Sequence, residues 1–417
     1  MEGQRAALSP SFQSQKSASN FALELPERHE PDLIVFSHLR WDFVLQRPQH
    51  LISRFAKHHR VFFFEEPVPC EGFCPFYEIH YRDPGVYVVV PRVPQSLPSD
   101  QIPIALSTLV DDLISDQDLL DFVSWYYTPM ALNFTRHLKP RAVVFDVMDE
   151  LSAFKDAPQD LIHLEEELLR RSDVVFTGGV SLYEAKKNRH ASVYPFPSSI
   201  DREHFQLARG LLPDPVDQAP ITGPRLGFFG VIDERMDLDL IDQISFLRPE
   251  WQFVFLGPVV KIDSHSLPRR GNLHYLGKKN YSELPNYLAG WDVALLPFAR
   301  NESTRFISPT KTPEYLAAGR PVVSTSIRDV VRPYGDLELV HIADSAEDFV
   351  KACERAMSET RYCSRWRGRV EEFLSTTSWD STFQQMAQLM RNCYEARSSR
   401  RASEKSSTVV SPSWEIS

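Results

Sequence analysis

The clearest candidate for chemistry lies at residues 308–325, with the sequence SPTKTPEYLAAGRPVVST. The pattern predicts a polar loop, a helix that opens with Ser308 and Pro309, a glycine stop and a buried strand. The amino end of such a helix attracts phosphate, and Lys311 adds a positive charge there. Glu314 follows on the same face of the first turn. The pair suits a nucleotide-sugar pocket, with Lys311 for the diphosphate and Glu314 for hydroxyls; ordinary helix capping is the alternative.

Alternating strands and helices must position these residues. A strand at 32–37, a helix at 47–58 and a strand from Val61 begin a parallel unit, and the alternation continues to Thr177. The Pro-rich residues 211–224 predict a linker, after which the alternation restarts. We predict a flexible segment at 1–30, an acceptor domain at 31–210, a donor domain at 211–377, a crossover helix at 378–397 and a disordered tail at 398–417. The carboxyl ends of the strands of both domains would face a common cleft.

Composition narrows the class of protein. With 42% hydrophobic and 24% charged residues the chain is globular, and a net charge of −10 argues against nucleic-acid binding. No apolar run reaches the length of a membrane span, and the first twenty residues lack a secretory signal, so any membrane contact would be peripheral. The few, scattered cysteines indicate a reducing compartment, and we predict a cytoplasmic protein. The cysteines are Cys70, Cys74, Cys353, Cys363 and Cys393; we predict no metal site.

The run at 308–325 resembles the donor-binding signature of GT-B glycosyltransferases of family 4: a loop, K-x-x-E, Y-L-A-A-G and P-V-V-S-T. That family usually has a second Glu eight positions earlier, where this chain has Phe306; Glu302 is a candidate substitute. The resemblance implies an α/β GT-B fold, with two Rossmann-like doubly wound domains facing a cleft. A helix starting near Ser378 and Trp379 would cross back to the first domain.

The resemblance also implies how the donor is bound. Arg235, after the strand that ends at Gly230, would neutralise the leaving diphosphate, unless it pairs with a neighbouring Asp on the surface. The Lys that the family carries five residues later is Leu240 here, so we predict that Lys311 supplies the second charge. The remaining donor-binding candidates are Gly277 and Lys279 beside the nucleobase, with Ser308, Thr310 and Glu314 around the phosphates and sugar.

The first domain carries the run W-x-F-x-x-Q-R-P-Q-H from Trp41, which resembles a bacterial subgroup of cell-surface polysaccharide glycosyltransferases, including teichuronic-acid-type enzymes. In that subgroup Trp41 and Phe43 would stack on a sugar, and Gln46 and Arg47 would line the acceptor cleft. The alternative is core packing for the aromatic residues and a surface charge for Arg47.

The segment DVMDELSAF at 146–154 matches the same subgroup. It places Asp149 near the reacting sugar, as the first choice for contacting donor or acceptor hydroxyls, with Glu150 second. Carboxylates that follow a strand are also ordinary helix N-caps.

The predicted function is a retaining, metal-independent glycosyltransferase. It would move a sugar from a UDP- or GDP-type donor to a glycan or lipid-linked acceptor in cell-surface polysaccharide synthesis, with no cofactor beyond the donor and peripheral contact with the inner membrane face. Same-face attack would let the leaving phosphate take the acceptor proton, so no protein base is named. A non-hydrolysing nucleotide-sugar epimerase and a degenerate GT-B binding or scaffold protein are the alternatives, and the oligomeric state stays open.

Overall fold

The computed structural model describes residues 30–155, 157–360 and 363–407. They form two α/β domains, each built on its own predominantly parallel sheet. The predicted fold class is thereby confirmed. Residues 1–29 and 408–417, which belong to the predicted flexible segment and tail, lie outside the described residues.

The sheet of the first domain has the strand order β3-β5-β2-β1-β6-β7-β8-β9. Its strands are β1 (Asp32–Phe36), β2 (Val61–Phe64), β3 (Val68–Cys70), β4 (Phe76–Arg82), β5 (Val86–Pro94), β6 (Phe122–Tyr126), β7 (Ala142–Val147), β8 (Val174–Thr177) and β9 (Val193–Pro195). The central strands are mostly apolar because helices cover both faces of the sheet. We did not predict β3, β4 or β9, and β4 pairs antiparallel with β5.

The second sheet is parallel, with the order β12-β11-β10-β13-β14-β15. Its strands are β10 (Arg225–Phe229), β11 (Gln252–Leu256), β12 (Leu273–Gly277), β13 (Val293–Leu296), β14 (Val322–Ser324) and β15 (His341–Ile342). The buried side chains on both faces of this sheet belong to one apolar cluster. The strand order reverses direction at β10 and β13, so the carboxyl ends of these neighbouring strands flank a crevice.

The α-helices among the described residues are α1 (Arg47–Phe55), α2 (Ile102–Asp116), α3 (Leu132–Thr135), α4 (Leu161–Arg171), α5 (Val180–Lys186), α6 (Arg202–Gln206), α7 (Leu238–Leu247), α8 (Leu284–Ala289), α9 (Lys311–Ala317), α10 (Arg328–Val330), α11 (Ala346–Arg355), α12 (Ser364–Ser375) and α13 (Trp379–Ser407). We expected α9 to open with Ser308 and Pro309, but it starts at Lys311. The Ser308 carbonyl instead accepts a hydrogen bond from Ser198 of the first domain, which holds this residue in a loop.

The crossover helix α13 packs against the first domain, as predicted. Trp379, Met386 and Met390 are buried in the same cluster as the β1 and β7 side chains. The helix continues to Ser407, beyond the predicted end at residue 397. Residues 398–407, the first part of the predicted tail, thus belong to this helix.

The linker at 211–224 contains no helix or strand, as its prolines predict. It is not a loose spacer, however, because Gln218 is fully buried. Its amide oxygen accepts a hydrogen bond from the Trp291 indole at 2.8 Å, and its amide nitrogen donates to the Tyr287 carbonyl. The linker is thereby part of the second domain. No helix among the described residues is long and apolar enough to cross a membrane.

Candidate functional site

A cleft of about 570 Å³ lies between the two domains. On the first-domain side it is bordered by α1 and by the segments after β1, β7 and β8; on the second-domain side by the segments after β10, β11 and β12 and by α9. All of the predicted site residues except Gly277 line it: Trp41, Phe43, Gln46, Arg47, Asp149, Gly230, Arg235, Lys279, Ser308, Thr310, Lys311 and Glu314. The structure thus brings together residues almost 300 positions apart in the chain.

Lys311 enters the cleft across a glycine. Gly230 has φ +137°, and a Cβ added there would lie 2.1 Å from Lys311 Cε, so only glycine leaves room for this side chain. The ammonium lies 5.7 Å from the centre of the Phe228 ring. No carboxylate among the described residues pairs with it within 4.0 Å, and burial lowers its pKa. A half-buried cation in this setting is suited to an anionic ligand.

Glu314 lies on the same helix turn. Its residue is only 5% exposed, and no donor among the described residues forms a hydrogen bond to its carboxylate. Burial raises the pKa of this carboxyl to about 8, against the opposing effect of Lys311. A buried carboxyl that lacks a protein donor and borders a cleft can accept hydrogen bonds from a ligand's hydroxyls.

Arg235 has a protein partner as well as a cleft position. Its guanidinium makes three hydrogen bonds to Asp233, of 3.0 Å from Nε to Oδ1, 3.1 Å from Nε to Oδ2 and 2.7 Å from Nη2 to Oδ2. Pairing with an Asp was the alternative to a diphosphate role, but the pair is mostly buried beside the cleft instead of on the surface. Leu240, at the position of the family's Lys, is 4% exposed in the core and contributes nothing to the cleft. Lys311 and Arg235 are therefore the cations at this end of the site.

Asp149 faces these cations from the first domain. Burial raises the pKa of its carboxyl, while Arg235, Lys261 and Lys311 act to lower it. Glu150, the second choice, forms a 2.7 Å ion pair with Lys186. Asp149 is therefore the first-domain carboxylate that combines a cleft position with a nearby positive field.

The predicted acceptor residues are mostly engaged within the first domain. Arg47 is 4% exposed and pairs with the fully buried Asp146 at 2.9 Å, so it is not a surface charge. Trp41 is 8% exposed and packs edge-on against Phe63, with ring centres 5.0 Å apart. Core packing thus accounts for most of the Trp41 side chain, although the residue also borders the cleft. The backbone N–H of Gln46 donates to the Gln49 side chain at 3.0 Å.

Phe43 has a different environment, because it meets the second domain. The Lys278 ammonium lies 5.7 Å from the centre of its ring and 3.3 Å from the Asp42 carbonyl oxygen. This contact bridges the cleft at its outer end. Asp42 and Phe43 are therefore the part of the predicted acceptor loop that faces both the cleft and solvent.

The nucleobase turn is only partly as predicted. Gly277 has φ +72°, a conformation that favours glycine, but it does not line the cleft; its role is to shape the turn. Lys279 lines the cleft, yet its ammonium forms a 2.6 Å ion pair with Asp217. The Lys279 charge is thus largely neutralised by Asp217 of the linker.

Several cleft residues were missed by sequence reasoning. His50 stacks on Trp379 with ring centres 4.7 Å apart and meets Tyr281 edge-on at 5.6 Å, so the three rings join both domains to the crossover helix. Gly178 lines the cleft beside Met148, where a Cβ would lie 3.0 Å from that backbone. The Gly178-Gly179 pair after β8 was the only local signal of such a close approach.

The position of the family's other Glu is occupied differently here. Phe306 packs against apolar residues of the first domain. Glu302, the candidate substitute, has a side chain that is 76% exposed and pairs with Arg305; it does not line the cleft. Neither residue can replace a carboxylate at the sugar. The described residues also contain no cluster of three or more His, Cys, Asp or Glu arranged to hold a metal.

Comparison with known sequences gives two matches. Residues 223–359 match the family described as Glycosyl transferases group 1. The relative "Putative teichuronic acid biosynthesis glycosyltransferase TuaH" of Bacillus subtilis (strain 168) is 28% identical over 232 residues, which cover 53% of this chain and 57% of the relative. The match thus spans little more than half the length of that relative.

Comparison with solved structures extends over most of the chain. Sucrose-phosphate synthase from Thermosynechococcus elongatus has a TM-score of 0.66 and 13% identity, covering 88% of this chain and 100% of that one. Anabaena HepE, solved with UDP and glucose, has a TM-score of 0.59 and 12% identity, covering 86% and 99%. The fold and the cleft define a two-domain protein of the GT-B class. The segment that matches the group 1 glycosyltransferase family, residues 223–359, lies in the second domain, which confirms the predicted family resemblance.

Proposed function

We propose that this protein is a glycosyltransferase that moves a sugar from a nucleoside-diphosphate sugar to a glycan or lipid-linked acceptor. The observation that carries the proposal is the placement of Lys311 and Glu314 on one turn of α9, facing the cleft without protein partners among the described residues. A diphosphate needs positive charge and a sugar or ribose needs hydrogen-bond acceptors. This turn offers both within one site.

Lys311 and Arg235 would neutralise the diphosphate. As the bond between the anomeric carbon and the phosphate oxygen breaks, negative charge grows on the leaving group, and fixed cations stabilise that state more than the substrate. We propose that these two side chains do this without a metal ion. Asp233 tempers the charge of Arg235, so Lys311 carries the larger share.

We further propose that transfer proceeds with retention. The acceptor hydroxyl oxygen would bond to the anomeric carbon on the face from which the diphosphate leaves, and its proton would pass to the departing phosphate oxygen. The diphosphate thus leaves with the bonding electron pair and the acceptor's proton. Asp149 would then contact sugar hydroxyls across the cleft rather than act as a nucleophile.

The acceptor is proposed to be a growing cell-surface polysaccharide or its lipid-linked precursor, on the inner face of the membrane. The name of the Bacillus relative, which refers to teichuronic acid biosynthesis, supports a polysaccharide. Within the first domain, Asp42 and Phe43 are the acceptor-loop residues best placed to meet it. UDP is the first nucleotide to test, because the HepE structure contains UDP.

The donor site can be tested by thermal shift with UDP, GDP, ADP and their common sugars, with and without magnesium. A ligand at a hundred times its dissociation constant stabilises by about 2.7 kcal/mol. We expect one diphosphate series to stabilise the protein without metal, and Lys311→Ala to abolish the shift. No response to any nucleotide would contradict the proposal and favour a scaffold protein.

Turnover distinguishes the remaining enzyme class. The bound nucleotide sugar is incubated alone and with a polysaccharide-derived acceptor, and products are followed by NMR. Release of the nucleoside diphosphate only when acceptor is present supports transfer, and the anomeric coupling constant of the product tests retention. Conversion of the donor without acceptor would instead identify an epimerase.

A further inference from the structure

A buried carboxylate joins the two domains behind the cleft. Asp329, on α10 of the second domain, is 6% exposed. Both of its carboxylate oxygens accept a hydrogen bond from the backbone N–H of Ser181 in the first domain, at 3.1 and 3.3 Å. Hydrogen bonds to a buried carboxylate are among the stronger ones in proteins. Asp329 does not line the cleft and has no part in the chemistry proposed above.

Gly179 makes this contact close. A Cβ at this position would lie 2.4 Å from Asp329 Oδ2 and 3.0 Å from Ser308 Cβ. The backbone of Gly179 is extended, with φ −162°, a conformation that any residue can adopt. The glycine is therefore required by the approach of the other domain, not by its own conformation.

The same approach involves the loop that precedes Lys311. The Ser198 hydroxyl of the first domain donates to the Ser308 carbonyl at 2.7 Å and lies 3.4 Å from the Thr310 hydroxyl. Phe306 packs into the apolar cluster of the first domain. The first domain thus holds the loop at residues 306–310 from one side, and Asp329 anchors the second domain beside it.

We infer that Asp329, Gly179 and Ser181 form an interdomain latch that positions the 306–310 loop, and with it Lys311, for the donor. Asp329 is a positioning residue in this scheme, acting through the domain contact. When the domains separate, water can solvate its carboxylate, so the latch can open without leaving a buried, unpaired charge. The inference rests on the proposed function for its effect on the donor, but the contact itself can be tested independently.

An exposed ion pair across the same interface provides a matched control. Arg328 pairs with Glu184, and both side chains are more than two-fifths exposed. Exposed pairs of this kind contribute little. Glu184→Gln should therefore leave the interface closed, whereas changes at the latch should not.

The test compares four variants with the wild type: Asp329→Ala, Asp329→Asn, Gly179→Ala and Glu184→Gln. For each protein we would measure hydrogen exchange of residues 306–310, the affinity for the nucleoside diphosphate, and the kcat and KM for the donor. We expect Asp329→Ala and Gly179→Ala to accelerate exchange and to weaken binding and raise KM about tenfold, with a smaller change in kcat. Asp329→Asn keeps an oxygen acceptor for Ser181 and should recover most of the loss. Glu184→Gln should stay within about twofold of the wild type.

The double variant sharpens the assignment. Adding Gly179→Ala to Asp329→Ala should cost much less than adding it to the wild type, because its closest steric partner has been removed. Additive effects, or unchanged exchange at 306–310 in both single variants, would overturn the latch. If Asp329→Ala fails to fold, Gly179→Ala compared with Glu184→Gln supplies the same test. Absence of nucleotide binding in the wild type would contradict the proposed function, while the exchange data would still decide the latch.

Discussion

The two walls of the cleft use their polar residues in different ways. On the first-domain wall, Arg47 pairs with Asp146 and Trp41 packs on Phe63, so both side chains are committed within their own domain. On the second-domain wall, Lys311 and Glu314 lie on the same turn of α9 and have no such partners among the described residues. Arg47 and Trp41 thus support the fold of their own domain, whereas Lys311 and Glu314 are available to a ligand.

This difference teaches that residue type and cleft position do not by themselves define a binding role. Arg47 and Lys311 are both cations that border the same cleft. A buried cation with a carboxylate partner contributes mainly to integrity of the fold, whereas a cation without one is suited to an incoming anion. Substitutions should therefore separate stability from activity according to whether the charged side chain has a protein partner.

The largest expected effect is on the first-domain wall. Arg47→Ala leaves Asp146 buried and unpaired, which should lower the free energy of unfolding by about 3–5 kcal/mol. Urea denaturation measures this loss. Arg82→Ala, which breaks an ion pair with the 60% exposed Asp42, should cost less than about 1 kcal/mol. Equal losses in the two variants would break the comparison.

The second effect is on catalysis. Lys311→Ala removes the principal cation for the leaving group and should lower kcat about 10²–10³-fold, equivalent to about 2.7–4 kcal/mol. Its melting temperature should not fall, because the half-buried ammonium that is removed has no carboxylate partner among the described residues. Steady-state release of nucleoside diphosphate is the assay, with the exposed Lys351→Ala as control. Full activity in Lys311→Ala would show that the site is assigned wrongly.

A third, smaller effect concerns the glycine beneath Lys311. Gly230→Ala introduces a Cβ where Lys311 Cε now lies and places alanine at φ +137°. We expect a stability loss of about 1–3 kcal/mol from backbone strain, together with weaker donor binding as Lys311 is displaced. Gly271→Ala, which meets no heavy atom within 4 Å, is the matched control. Unchanged donor affinity in Gly230→Ala would mean that Lys311 can bind the donor without occupying the space above Gly230.

The final effect is a pH dependence. The folded pKa of Glu314 is raised above its ordinary value of 4.5 to about 8, so between these values the folded state binds a proton that the unfolded state has released. Its contribution to stability is therefore fully present below pH 4.5 and is lost as the pH rises towards 8, by at most about 1.4 kcal/mol per pH unit. Unfolding free energies from pH 5 to 8.5 should decline more steeply in the wild type than in Glu314→Gln. Parallel curves would place Glu314 in a more solvated position.

Much of the fold could be predicted because local patterns carry it. Buried strands such as VFFF at 61–64 and VALL at 293–296 are continuous apolar runs, and the helices between them show a regular apolar spacing. The edge strand β4 was missed although it forms a local hairpin with β5 across the turn at residues 83–85, whose proline and glycine are a sequence signal for such a turn. The start of α9 was also missed, because a hydrogen bond from the distant Ser198 holds Ser308 in the loop.

All of the predicted site residues except Gly277 line the cleft, but the sequence did not predict which of their charges are paired. The sequence by itself determined that Lys311 and Glu314 share a helix turn and that Gly230 ends a strand, because spacing along one segment decides these relations. Only the tertiary structure decided which charges are available: Asp146 lies 99 positions from Arg47 and neutralises it, whereas no carboxylate among the described residues reaches Lys311. Pairing of charges depends on distance in space, and contacts between elements far apart in the chain set that distance only when both domains have folded.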